Sequence, residues 1–294
     1  DQTMQIGVLY REIEALLRVN CESREVSSIE AYCLVSHVIK KDKSFLLTYP
    51  EYEVSVSDAE AVRALVRRRL DGEPIAYILG SRDFWTLTLK VTKDTLIPRA
   101  DTETLVEQAL VEAQKWLHAG LSPEKLRILD LGTGSGAVAL ALKKELPQAM
   151  VDAIDYSEGA CAVAQENANN LNLPIKVWRS DWFSAIKEQH QYHIIVSNPP
   201  YIAEGDEHLS KGDLRYEPRT ALVAPMRGLK DLLNIVRLAP KYLVNEGSLL
   251  VEHGFNQGGE VKSLFHDADF TSVETVRDLG QNERVTKGQY FYKA

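Results

Sequence analysis

Asn198-Pro199-Pro200-Tyr201 follows the apolar run Ile194-Ile195-Val196, so a strand ends here in a rigid, polar tetrapeptide. The carboxyl ends of strands are where open α/β sheets hold their ligands. Two consecutive prolines fix two φ angles and remove two N–H donors, leaving the carbonyls of Asn198 and Pro199 free to accept. Asn198 adds an amide that both donates and accepts, and Tyr201 adds an aromatic face. The guest that this set suits is a planar group carrying an NH2.

A second constellation lies upstream. Ile128-Leu129-Asp130-Leu131-Gly132-Thr133-Gly134-Ser135-Gly136 reads as a strand running into glycines and then into a helix beginning near Ala137. Glycines allow a tight turn and close backbone approach, and the helix amino end offers N–H groups, although a plain βα turn has the same look. The Gly-x-Gly-x-Gly spacing departs from the dinucleotide fingerprint Gly-x-Gly-x-x-Gly. Asp155 closes the next strand, 23 positions after Gly132. A carboxylate there can accept both hydroxyls of a ribose, or simply cap a strand end.

Asp130 before the glycines disfavours a pyrophosphate and suits a cation. S-adenosylmethionine, with its sulfonium and ammonium and no phosphate, fits that polarity better than a nicotinamide dinucleotide. At the following strand end, Asp181 can accept from an adenine amino group and Trp182 can pack on the ring. The other reading makes Trp182-Phe183 a core plug over the sheet end. His253, after Glu252, tempts a catalytic role, with a structural histidine or a pocket wall as the plainer reading. The seven histidines show no His-Glu-x-x-His spacing, and there is no Gly-x-Ser-x-Gly elbow. No metal site is expected.

Several elements must position these groups. From about Ile6 to Leu70, apolar residues recur at three-and-four spacing, with Ser57-Asp58 resembling a helix start before the Val62, Leu65, Val66 run. This predicts a small helical domain over 1–74. Arg67-Arg68-Arg69 within it reads as a solvated face or as a docking contact for an acidic partner. Phe84 to Val91 alternates like a strand, one arm of a hairpin connector over 75–95. Leu96 to Glu103 is a turn and helix start in which Asp101 or Thr102 can cap, with a helix through Leu117.

The domain over 96–294 alternates strands and helices, which predicts a mainly parallel sheet covered on both faces. Its expected strands are Arg127-Asp130, Met150-Asp155, Ile175-Arg179, His193-Ser197, Ser248-Glu252, Thr271-Val276 and Gln289-Tyr292. Helices are expected at Ala137-Glu145, Glu158-Asn170 and Lys230-Leu243, and a long irregular stretch at about Ile202 to Gly228. In the usual doubly wound order the strands before Gly132 and Asn198 are neighbours, so both loops should face one crevice.

The 294 residues suit two domains, and 45% hydrophobic with 26% charged residues is an ordinary globular composition. A formal net charge of −8 argues against a long phosphate backbone as the main partner. Cys21, Cys33 and Cys161 show no metal-ligand spacing, which suggests a reducing, cytoplasmic setting. Neither a secretory signal nor an apolar run of membrane-crossing length is seen, so no membrane partner is expected.

The chain resembles the HemK-type release-factor glutamine methyltransferases over nearly its whole length. The resemblance is carried by Asp71-Gly72-Glu73-Pro74-Ile75, Leu96-Ile97-Pro98-Arg99 with Asp101-Thr102-Glu103, the glycine loop, Ser180-Asp181-Trp182-Phe183, Val196 to Tyr201, Glu217-Pro218, Glu252-His253-Gly254 and Asn282-Glu283-Arg284-Val285. It implies a Rossmann-like class I methyltransferase domain with a mixed, mostly parallel seven-stranded sheet, behind a small helical domain that grips the substrate protein. The implied substrate is the glutamine of the Gly-Gly-Gln motif in bacterial class I peptide-chain release factors, methylated on its side-chain amide nitrogen.

Carried over by position, Gly132, Thr133, Gly134, Ser135, Gly136, Asp155, Trp182 and Asn198 would contact S-adenosylmethionine, leaving S-adenosylhomocysteine as product. Asn198, Pro199, Pro200 and Tyr201 would hold the glutamine, with Asn198, Pro199 and Tyr201 acting in catalysis. Ala100 departs from the proline of many relatives, which bears on the stiffness of that turn. A monomer without direct nucleic-acid contact is expected. The tetrapeptide alone also suits an adenine N6-methyltransferase that flips its base into the same crevice, but that alternative needs a basic track the net charge does not advertise.

Overall fold

In a computed structural model describing residues 2–200, 202–203, 216–218, 223–224 and 228–293, the chain divides into two units, Asp1–Gly80 and Ser81–Ala294. The three-and-four spacing of the first unit becomes five helices: α1 (Ile6–Arg18), α2 (Arg24–Ile39), α3 (Lys43–Thr48), α4 (Val56–Leu70) and α5 (Ile75–Leu79). Ile6, Leu9, Ile13 and Leu17 of α1 meet Ala31, Leu34 and Val35 of α2 and Val62 and Val66 of α4 in one core.

Ser55 Oγ accepts the Asp58 N–H at 3.1 Å, so the cap of α4 lies two residues before the expected Ser57-Asp58 signal. A two-stranded antiparallel pair, β1 (Thr3–Gln5) with β2 (Glu53–Ser55), was not foreseen; three residues are too few for a period to register. In the arginine triplet, Arg68 pairs with Glu73 and Arg69 with Glu30 at 2.7 and 2.8 Å. Those two charges are committed within the unit.

The second unit opens on a hairpin, β3 (Ser81–Phe84) and β4 (Leu87–Lys90). The strand expected over Phe84 to Val91 is therefore broken: Trp85, at φ +58°, and Thr86 form the turn. Beyond α6 (Glu103–His118) comes a seven-stranded sheet built from β5 (Arg127–Leu131), β6 (Met150–Asp155), β7 (Lys176–Arg179), β8 (Tyr192–Ser197), β11 (Leu243–Glu252), β12 (Thr271–Arg277) and β13 (Glu283–Gln289). Two-residue strands β9 (Ile202–Ala203) and β10 (Val223–Ala224) pair separately. The sheet order is β12-β13-β11-β8-β5-β6-β7, parallel from β11 to β7 and antiparallel at β13 and β12.

Alternate strand residues serve opposite faces. Ile128, Ile194, Val196 and Leu250 join α6, α7 (Ala137–Glu145) and α8 (Glu158–Leu171) in one apolar layer. Leu129, Ile195, Leu249 and Val251 join α9 (Lys230–Leu238) and α10 (Gly258–Asp267) in the other.

Two expectations need correction. The last strand is Glu283–Gln289 and not Gln289-Tyr292, because its polar residues are buried in pairs: Lys287 Nζ reaches Glu112 at 3.1 Å and Thr286 Oγ1 reaches Thr275 at 2.9 Å. The helix expected to run to Leu243 stops at Leu238, since Pro240 cannot continue the α ladder, and a 3-10 turn, Ala239–Lys241, follows. The expected irregular stretch at 202–228 lies largely outside the described residues. Among the described residues, no helix is long and apolar enough to cross a membrane.

Candidate active site

Gly132, Gly134 and Gly136 sit at φ +75°, +57° and +90°, which lets the chain leave β5 and enter α7 within five residues. The Gly132 and Thr133 N–H groups both donate to the Ile154 carbonyl, at 2.9 and 2.8 Å, hooking the loop onto β6. Asn167 on α8 holds it from the other side: its Nδ2 donates to the Ser135 carbonyl at 2.8 Å and to that of Lys90 at 3.0 Å. Nothing in the spacing of the sequence marks Asn167 for this; the contact exists only once α8 crosses the sheet.

Asp155 ends β6 with its carboxylate accepting from Gly134 N–H at 2.9 Å and Ser157 N–H at 3.0 Å. Burial pushes its pKa up, partly offset by those N–H groups. Asp130 is 2% exposed, and burial pushes its carboxyl up to about 7 against the hydrogen bonds from Thr133 and the Ala139 N–H. Thr133 Oγ1 donates to it at 2.8 Å. One end of the site thus carries two closely placed carboxyl groups.

β8 lies beside β5, with Ser197 opposite Leu131, and Ser197 Oγ donates to the Leu131 carbonyl at 2.8 Å. The glycine loop and Asn198-Pro199-Pro200 therefore open side by side, as doubly wound topology requires. A cavity of about 370 Å³ lies between them, a volume in the range of small-molecule sites. Gly132, Thr133, Gly134, Ser135, Asp155, Trp182, Asn198, Pro199 and Pro200 all line it.

Other expected site residues are placed differently. Gly136 supports the loop from behind, where a Cβ would come within 3.1 Å of Leu140 and 3.3 Å of Ala164. Asp181 is exposed and off the cavity wall, its N–H held by Ser184 Oγ at 3.1 Å. Trp182 and Phe183 divide the two readings given to them. Trp182 lines the cavity with a hydrogen bond to the Asp231 carboxylate, while Phe183 plugs the core, stacked on Tyr242 at 4.5 Å. Tyr201 lies outside the described residues.

His253 is fully buried, bonded to Thr286 Oγ1 at 2.8 Å and the Gly254 carbonyl at 2.9 Å, and burial lowers its pKa. It is a structural histidine off the cavity wall; its neighbour Glu252 lines the cavity.

One wall went unassigned in the sequence. Residues 93–99, with Asp101 and Thr102, complete the cavity, and Pro218 faces it too. Glu217, whose side chain is wholly buried, joins these segments: it accepts the Ile97 N–H at 2.7 Å and is forked by Arg99, with Nη2 at 2.5 Å. A paired, hydrogen-bonded carboxylate of this kind fixes two loops against each other. The motifs Leu96 to Arg99 and Glu217-Pro218 were visible in the sequence, but 118 positions apart nothing there shows that they meet.

Comparison with known proteins adds to this geometry. Residues 9–80 match the PrmC N-terminal domain family, and residues 107–212 match the Methyltransferase small domain family. The chain is 45% identical over 285 residues to a release factor glutamine methyltransferase of Aliivibrio fischeri, covering 95% of this chain and 97% of that one. It is 47% identical over 263 residues to the protein of that name in Escherichia coli strain K12, covering 89% and 92%. Among solved structures, the hMettl16 catalytic domain superposes with a TM-score of 0.55 at 17% identity, covering 86% of this chain and 94% of that one; this likeness concerns the fold alone.

Proposed function

The chain belongs to the release factor glutamine methyltransferase family, and from that premise we propose that it transfers a methyl group from S-adenosylmethionine to the side-chain amide nitrogen of a release-factor glutamine. The glutamine is that of the Gly-Gly-Gln motif of bacterial class I factors. The observation that carries this reading is the single cavity shared by the glycine loop, Asp155 and Asn198-Pro199-Pro200.

The residues fit the cosubstrate. Asp155 would present a carboxylate to a ribose diol, the Gly132 to Ser135 backbone borders the same space, and Trp182 would offer a ring face for adenine. Asp130 adds a group whose ionised form favours a cation and opposes a phosphate. When bound, S-adenosylmethionine supplies a methyl carbon on a sulfonium, an activated leaving group.

The rest falls to the protein. An amide nitrogen is a poor nucleophile because its lone pair is shared with the carbonyl. Asn198 Oδ1 and the Pro199 carbonyl would accept the two N–H groups of the substrate amide, which would fix the orientation of its nitrogen in the cavity. As positive charge grows on nitrogen those hydrogens become more acidic, so the two acceptors bind the transition state more tightly than the ground state. The stiff Pro199-Pro200 backbone keeps them aimed without reorganisation, and Tyr201 would pack on the amide plane. The methylated nitrogen then loses its proton to water, so no strong base is needed before the transfer.

The test is to incubate the protein with labelled S-adenosylmethionine, a release factor and duplex DNA, and to locate the label by mass spectrometry. Label on the Gly-Gly-Gln glutamine is expected; label on adenine instead would overturn the reading. Asn198→Ala should lower turnover by on the order of 10²-fold or more, the scale of losing one transition-state hydrogen bond in an enclosed site, while cofactor binding measured by calorimetry stays partly intact.

A further inference from the structure

Thr102 is the last residue of a 3-10 turn, Ala100–Thr102, that runs directly into α6. Its backbone is therefore helical, at φ −71° and ψ −15°, and its hydroxyl makes no capping bond to the first turn of α6. Oγ1 instead receives the Asn198 Nδ2 at 3.4 Å. Thr102 is 5% exposed, and both residues line the cavity.

We propose that Thr102 is a positioning residue for methyl transfer, holding the Asn198 amide so that Oδ1 faces the acceptor nitrogen. This rests on the function proposed above. The backbone around Asn198 is already fixed, by Ser197 of β8, bonded to the Leu131 carbonyl of β5, before it and by two prolines after it. What stays loose is the side chain: the terminal torsion of asparagine is broad and two-fold, so the amide can present either its oxygen or its NH2 to a guest. An NH2 guest needs the oxygen. With Oδ1 toward the guest, Nδ2 faces the opposite side and requires an acceptor there, which the Thr102 hydroxyl supplies. The 3.4 Å separation is longer than the usual N–H···O distance, and such bonds commonly tighten when a substrate loads the other end.

A hydroxyl that caps no helix gives the proposal a sharp test, because its loss should damage turnover and spare the helix. Thr102→Val keeps the shape and removes the acceptor; Thr102→Ser keeps the acceptor. With full-length protein and a release factor, Thr102→Val should lower kcat by about tenfold, roughly 1.4 kcal/mol of transition-state binding. The Kd for S-adenosylmethionine and the thermal midpoint should stay near wild type, and Thr102→Ser should recover most of the rate. An unchanged kcat in Thr102→Val, an equal loss in Thr102→Ser, or a loss that tracks a fallen midpoint would each overturn the role of Thr102. If the wild-type protein itself leaves the release factor unmethylated, the failure lies with the proposed function.

Discussion

Asp130 is 2% exposed and answered by one hydroxyl and one backbone N–H, so ionising it is costly, and its carboxyl titrates near 7. The sign of the consequence follows from proton counting. Between the ordinary aspartate range and about pH 7 the folded protein holds a proton at Asp130 that the unfolded chain has lost. Stability from this group is therefore complete at low pH and declines as pH rises toward 7, by on the order of 4 kcal/mol in total. Asp155, also raised by burial, acts in the same direction. In cofactor-free protein, Asp130→Asn should flatten the fall of the thermal midpoint between about pH 4 and pH 7. Parallel curves for the two proteins would show that Asp130 is ionised throughout.

Asp130 and Asp155 were legible in the sequence because a strand end and a glycine turn fix where such side chains go. Asn167 and Thr102 were not. Each acts on a residue 77 or 96 positions away, and no local pattern distinguishes them from a surface asparagine or an ordinary helix cap.

At the scale of elements, the turn from β5 into α7 separates a glycine that faces the cavity from one that packs against a helix. Gly134 at φ +57° has open space where a Cβ would stand. Gly136 at φ +90° is backed by Leu140 and by Ala164 of α8 at 3.1 and 3.3 Å. Gly134→Ala should cost only the left-handed backbone strain, about 1–2 kcal/mol. Gly136→Ala adds to its strain a clash that pushes α7 from α8, so it should melt at the lower temperature. Equal thermal midpoints for the two variants would refute this division of labour.

Element identity was readable where an apolar segment was bounded by clear turn residues, as in α7 after Gly136 and β6 before Tyr156-Ser157, whose predicted and observed limits coincide. It failed at β13, where Thr286 and Lys287 are buried by pairing and break the apolar signal, and at the three-residue strands β1 and β2.

The whole molecule consists of two units with separate apolar cores, and every described residue lining the cavity falls between Lys93 and Glu252, within the second. Cofactor binding should then be a property of the second unit alone. The helical unit contributes none of the chemistry described above, and its expected part is recognition of the protein substrate. A fragment spanning 81–294 should bind S-adenosylmethionine within about threefold of the full-length Kd, a difference under 1 kcal/mol. Its kcat/KM on a release factor should fall by on the order of 10²-fold, the loss of a few kcal/mol of remote binding energy. Circular dichroism would first establish that the fragment is folded. A folded fragment that no longer binds the cofactor would contradict the cavity's assignment to the second unit, whereas one that methylates the release factor as well as the full chain does would remove recognition from the helical unit.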